Sequence, residues 1–247
     1  MFNRNGDIVV PAEYNDLTRV KNGMIIAIKG AEREYWDDSR EHWSWVSGQE
    51  MLIDTLNNVL IENFTYDNYY LNFFSIEKSK NPHSDTIIRK SFLAKDGSYY
   101  SFIDFEKEFK QWLIDDLLAN LTAETLTNAS YDTITWLSAE KNRTKSNRQQ
   151  FIADNFEVLK NGLLEIINPN SKYSISISFI GLNPFIYEGV EFEKYFDNCR
   201  NAKERYPLME VVKWNKNNST QNWYEFLRTD NGYKLISITI RDEKIKY

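Results

Sequence analysis

From Asp7 to Ile103 the apolar residues fall in short runs separated by turn residues roughly every ten positions, and no helical period is sustained. The pattern predicts strands at Asp7 to Val10, Thr18 to Val20, Met24 to Lys29, Trp43 to Val46, Met51 to Asp54, Val59 to Glu62, Leu71 to Glu77, Ile87 to Ala94 and Tyr99 to Ile103. Lys21-Asn22-Gly23, Ser47-Gly48 and Lys95-Asp96-Gly97 punctuate them with residues that accept the positive φ of tight hairpins.

At Asp104 the spacing changes. Phe105, Phe109, Trp112, Leu113, Leu117 and Leu121 share one helical face behind a capping aspartate, which predicts an amphipathic helix from Asp104 to Leu121. A second helical stretch is expected from Ala123 to Ala139, and the polar run from Glu140 to Lys145 reads as a solvated linker and domain boundary. Ser146 and Gln149 then form a capping-box pattern ahead of Ile152, Phe156, Leu159, Leu163 and Ile166, and Asn168-Pro169 ends that helix. Strict alternation from Tyr173 to Phe179 predicts a half-buried strand, followed by a short extended run from Phe185 to Tyr187 and a helix from Glu191 to Ala202. Three long strands close the chain, at Pro207 to Lys216, Gln221 to Thr229 and Tyr233 to Arg241, the last two joined by the hairpin signal Asp230-Asn231-Gly232. The expected architecture is α+β: a β-rich region over residues 1–103, a helical connector over 104–145, and a domain with an antiparallel sheet over 146–247.

Thirty Lys plus Arg against 36 Asp plus Glu give the 247-residue chain a net charge of −6, without a compensating basic stripe. Nucleic acid and anionic membrane surfaces both need a cationic footprint and are not expected partners. No run spans a bilayer and the start lacks the apolar core of a secretion signal, so the expected location is cytoplasmic. The single Cys199 accords with a reducing compartment and sits on an apolar helical pattern that suits an inert thiol.

The β-rich region carries a degenerate repeat with a spacing near 50 residues. Gly6-Asp7-Ile8-Val9-Val10-Pro11-Ala12-Glu13-Tyr14-Asn15-Asp16 parallels the stretch from Asn57 to Asn68, and Gly48-Gln49-Glu50-Met51-Leu52-Ile53-Asp54 parallels the stretch from Gly97 to Asp104. Over residues 3–104 this resembles the WG repeats of bacterial proteins. Glu50-Met51 and Tyr100-Ser101 stand where that family has Trp-Gly, and an insertion spans Ala31 to His42. The resemblance implies a β-rich interaction surface rather than catalysis; a scaffold piece of a longer repeat protein is a further alternative. Over residues 146–242 the order of helices and strands is similar to nuclear-transport-factor-two-like α+β domains, which implies a curved sheet whose cup holds a ligand, binds a protein or is packed shut.

Catalytic residues, metal ligands and cofactors are not expected. His42 and His83 lack a second ligand at zinc-site spacing, and the glycines are too sparse for a phosphate-cradling loop. Asp115 and Asp116 point to different sides of a helix and cannot readily share a proton. The most unusual segment runs from Glu34 to Trp45, where Trp36, Trp43 and Trp45 interleave with charge, and these three are the candidate partner-binding residues. Trp43 and Trp45, two apart, equally suit one buried strand face. The expected function is non-catalytic recognition of another protein through the β-rich half, and an acidic aromatic surface suits a basic partner such as a toxin nuclease. The alternative is a small-molecule pocket, with or without turnover, lined by Tyr173, Phe179, Phe192, Trp214 and Trp223.

Overall fold

The computed structural model describes residues 1–138, 143–178, 180–214 and 220–241. It is sheet-rich α+β, and the chain divides into two compact units, Met1–Phe105 and Glu106–Tyr247.

The first unit contains a four-stranded antiparallel sheet in the order β1 (Asp16–Leu17), β2 (Met24–Lys29), β5 (Gln49–Asp54), β6 (Val59–Ile61). A separate pair, β3 (Glu32–Tyr35) and β4 (Trp43–Val46), leaves this sheet from the β2–β5 connection. A three-stranded sheet follows, in the order β7 (Leu71–Ser79), β9 (Tyr99–Asp104), β8 (Arg89–Leu93). Strand β2 is buried on both faces because Met24-Ile25-Ile26-Ala27 has no polar alternate. Ile26, Leu52 and Ile61 pack with Phe64, Leu71, Phe73 and Phe102, while Ile25, Ala27 and Ile53 pack with Val10 and Met51.

Helix α1 (Phe105–Gln111) runs into a π-helical segment, Trp112–Leu118, and α2 (Ala123–Asn128) follows. The second unit is built on a six-stranded sheet in the order β11 (Thr144–Asn147), β10 (Ser130–Ser138), β15 (Gly232–Ile240), β14 (Gln221–Thr229), β13 (Leu208–Trp214), β12 (Tyr173–Ile177), of which only the β10–β15 pair is parallel. Helix α3 (Arg148–Leu164) lies on one face, with Phe151 stacked on Trp136 at 5.6 Å and Gly162 against Tyr224. A Cβ at Gly162 would stand 2.0 Å from the Tyr224 hydroxyl, so glycine sets the close approach of helix and sheet there. A short α4 (Val190–Glu193) is the only helical piece of the expected Glu191 to Ala202 helix.

Several local expectations are corrected. The stretch from Asp7 to Val10 forms only an isolated bridge, Phe2 to Ile8, and the strand expected at Thr18 forms instead at Asp16–Leu17. Within the Ala31 to His42 insertion, where no strand is expected, Glu32–Tyr35 forms strand β3. Helix ends at Asn128, and Ser130–Ser138 is a strand, because Thr133-Ile134-Thr135-Trp136 is β-branched and aromatic and buries Ile134 and Trp136 against α3. Within the expected linker, Thr144 and Lys145 belong to a strand, while residues 139–142 lie outside the described residues. The cap of α3 is Asn147, whose Oδ1 accepts from the Gln149 and Gln150 amides, not Ser146. Phe185 to Tyr187 is a turn rather than an extended run.

Candidate functional site

The β3–β4 arm carries all three candidate tryptophans. Register places Arg33 opposite Trp45 and Tyr35 opposite Trp43, so these four side chains share one face, with Glu32, Glu34 and Ser44 on the other. The Arg33 guanidinium lies 4.3 Å from the Trp43 ring and 5.3 Å from the Trp45 ring, which themselves meet edge to face at 4.7 Å. At the tip Arg40 lies 5.4 Å from the Tyr35 ring. Both arginines of the arm are thus laid on rings, and five acids, Glu32, Glu34, Asp37, Asp38 and Glu41, supply its remaining charge.

Trp36 is 69% exposed yet held in place. Its backbone N–H donates to the His42 carbonyl at 3.0 Å, its Nε1–H donates to Ser44 Oγ at 3.2 Å, and its ring stacks on the His42 imidazole at 6.1 Å. The base of the arm is fixed by Asn15, whose Nδ2 donates to the Ala31 carbonyl at 3.0 Å and whose Oδ1 accepts from the Ala31 N–H at 2.9 Å. Opposite Ala31, Gly48 has φ +83° and leaves no room for a Cβ, which would lie 2.8 Å from the Ala31 nitrogen. Asn15→Ala is expected to raise amide exchange across Ala31–Val46 and to cost about 1–2 kcal/mol, because both Ala31 backbone groups lose their side-chain partner. Exchange followed by mass spectrometry on the full chain checks this.

In the second unit, one face of the sheet presents a continuous polar row, formed by one residue from each strand. Ser176 pairs Glu210, Glu210 pairs Glu225, Glu225 pairs Ser237, Ser237 pairs Thr135, and Thr135 pairs Lys145. The Tyr187 phenol meets this row, hydrogen-bonded with Thr135 and Ser237, and the Lys145 ammonium donates to the Ile186 carbonyl at 2.6 Å. Burial, with the Glu225 carboxylate second, pushes the Tyr187 phenol up to about 12. Burial is also the main cause raising Glu225 above its ordinary 4.5; Glu210 adds to that, while Ser237 and Arg143 oppose it.

The folded state therefore holds the Glu225 proton more tightly than the unfolded chain does. The stability associated with it is full below pH 4.5 and falls as pH rises through the folded-state value. Glu225→Gln is expected to gain in melting temperature relative to the parent as pH is raised from about 4 to 7. A thermal melt series across that range checks this, and a constant difference at every pH would contradict it.

Of the five pocket candidates, Trp214 and Trp223 fall on the Glu225 face by strand alternation, and Phe192 packs with Leu208, Leu227 and Ile236 beside it. Tyr173, opposite Lys213, projects to the α3 side and is not part of that face. Phe179 lies outside the described residues. Glu210, Glu225 and Tyr187 were not singled out by sequence; the period-two placement of Glu210 with Trp214, and of Glu225 with Trp223, was the available signal. Among the described residues no group of three or more His, Cys, Asp and Glu side chains could hold a metal ion, and no helix is long and apolar enough to cross a membrane. Cys199 is exposed rather than buried on an apolar face.

No family model and no curated protein matches the chain. Two solved structures are similar to 49% of it. A DUF4783 family protein from Bacteroides fragilis YCH46 has a TM-score of 0.23 and 11% identity over 87% of its own chain. A DUF4783 family protein from Bacteroides ovatus ATCC 8483 has a TM-score of 0.23 and 10% identity over 84%.

Proposed function

We propose that this chain is a non-catalytic recognition protein whose β3–β4 arm docks on a basic surface of another protein. The observation that carries the reading is Trp36, which is largely exposed but immobilised by Ser44 and His42, at the tip of an arm with five acids. A pre-ordered indole loses little conformational entropy on binding, and interface anchors are enriched in tryptophan. The acids around it favour and steer a cationic partner, so association weakens with salt.

A photo-crosslinking amino acid placed at Tyr35, in an extract of the native source, is expected to capture a basic protein. The same group at Phe185, exposed in the second unit, serves as the control. Crosslinks from Phe185 alone, or an acidic partner at Tyr35, would count against the reading.

The polar row favours a second reading, a small-molecule site on the Glu225 face of the second unit. Two acids placed directly opposite each other on neighbouring strands repel, and a bound donor-rich ligand relieves that repulsion. Native mass spectrometry of protein purified gently from its source tests it. A retained species below about 1 kDa that Glu225→Gln loses supports this reading.

A further inference from the structure

The four-stranded sheet of the first unit bears a groove distinct from the exposed Trp36 surface. Alternation puts Asp16, Thr18, Ile28 and Glu50 on one face of β1, β2 and β5. Over this face lies a cleft of about 450 Å³, walled by the Trp45 ring and by Tyr66, which is stacked on Tyr69 at 5.4 Å. A second hollow of about 570 Å³ shares Glu50 and Tyr66 with the first and continues the groove past Gln49, Asn63 and Asp67. Tyr66, 53% exposed, stands between the two. The turn that carries it is held by Glu50, whose Oε2 accepts from the Tyr66 N–H at 2.6 Å.

The chemistry of the lining selects among ligands. The Trp45 ring forms part of the cleft wall, and its Nε1–H is buried behind that wall with no hydrogen-bond partner among the described residues. Arg19 supplies a donor group at the cleft. Asp16 and Glu50, with Asp67 beyond Tyr66, supply acceptors along the groove. An anion meets three carboxylates, and a cation meets the Arg19 guanidinium. An apolar ligand would leave the polar groups unanswered. A ligand whose hydroxyls both donate and accept, and whose C–H faces lie flat on aromatic rings, satisfies all of them. Both hollows fall within the size range of small-ligand pockets.

We propose that this groove binds a neutral oligosaccharide, one ring between Trp45 and Tyr66 and the chain continuing towards Asn63. The test uses the full chain and six soluble probes: the tetraoses of cellulose, laminarin, xylan, mannan, starch and chitin. Titration is followed by tryptophan emission and calorimetry. At least one probe is expected to bind with a Kd of about 1 mM or tighter. Tyr66→Ala and Trp45→Phe, checked as folded by circular dichroism, are each expected to weaken it about tenfold or more, whereas Trp36→Ala leaves it unchanged. The proposal is overturned if no probe shifts the emission up to about 10 mM. It is equally overturned if both groove variants bind as the parent does, or if tetralysine or adenosine monophosphate is the ligand bound at Tyr66.

Discussion

Glu108→Ala is expected to destabilise the second unit by about 3–5 kcal/mol, the usual cost of removing one partner from a buried ion pair. Glu108 lies on α1 and is four-fifths buried. It accepts from Arg228 Nε at 2.9 Å, from Arg228 Nη2 at 3.2 Å and from the Tyr233 hydroxyl at 2.6 Å. Arg228 and Tyr233 are a cross-strand pair at the β14–β15 hairpin end, so a single carboxylate ties the helix to both strands. Burial, then the Glu108 charge, holds the Tyr233 phenol far above its ordinary 10. Without the carboxylate the mostly buried Arg228 guanidinium loses the Glu108 charge and both hydrogen bonds to it. Glu108→Gln keeps an acceptor and is expected to cost less, about 2–3 kcal/mol, because the charge-assisted part alone is lost. Urea unfolding by circular dichroism, with exchange across Phe226–Ile240 to assign the transition, reads both. Equal stability of the alanine variant and the parent would contradict the account.

Phe64→Ala is expected to cost the first unit a similar amount, about 3–5 kcal/mol. Phe64 is fully buried, with rings of Phe92 at 4.7 Å, Phe102 at 5.8 Å and Phe73 at 6.0 Å around it. It follows β6 and packs on Ile26, Leu52 and Ile61, so it joins residues of the four-stranded sheet to those of the β7–β9–β8 sheet. Its backbone N–H donates to the Glu50 carbonyl at 3.2 Å, which leaves the ring no easy route to rearrange. Alanine opens a void bounded by stiff rings that collapse poorly. Phe64→Leu fills most of it and is expected to cost about 1–2 kcal/mol. Unfolding followed by exchange across Leu71–Ser79 checks the difference, and a smaller loss for alanine than for leucine would contradict this packing.

The elements legible in the sequence are those whose signal is local. The three closing strands are read from their own alternation and from Asp230-Asn231-Gly232, and the structure has strands at Leu208–Trp214, Gln221–Thr229 and Gly232–Ile240. Ser130–Ser138 was missed because a sound helix start, with Thr122 capping α2, leads straight into it. There tertiary burial of Ile134 and Trp136 outweighs the helical lead-in. That Trp43 and Trp45 share a face follows from their separation, but placing Arg33 against them needs the register of a partner strand, which the insertion hid. The polar row of the second unit lies deeper still. Each of its members looks ordinary in its own strand, and the row exists only once six strands are in register across a chain span of about one hundred residues, Thr135 to Ser237. Side alternation is local information; register across strands is not.

The proposed role of Trp36 is to anchor a basic protein partner. Its most direct test is the affinity of the full chain for the crosslinked partner, measured with the parent and with Trp36→Ala at about 50 and 300 mM salt. Alanine is expected to weaken binding by about 2 kcal/mol or more, near thirtyfold, and the parent's affinity is expected to fall steeply with salt. An unchanged affinity for Trp36→Ala, with no salt dependence, would contradict it.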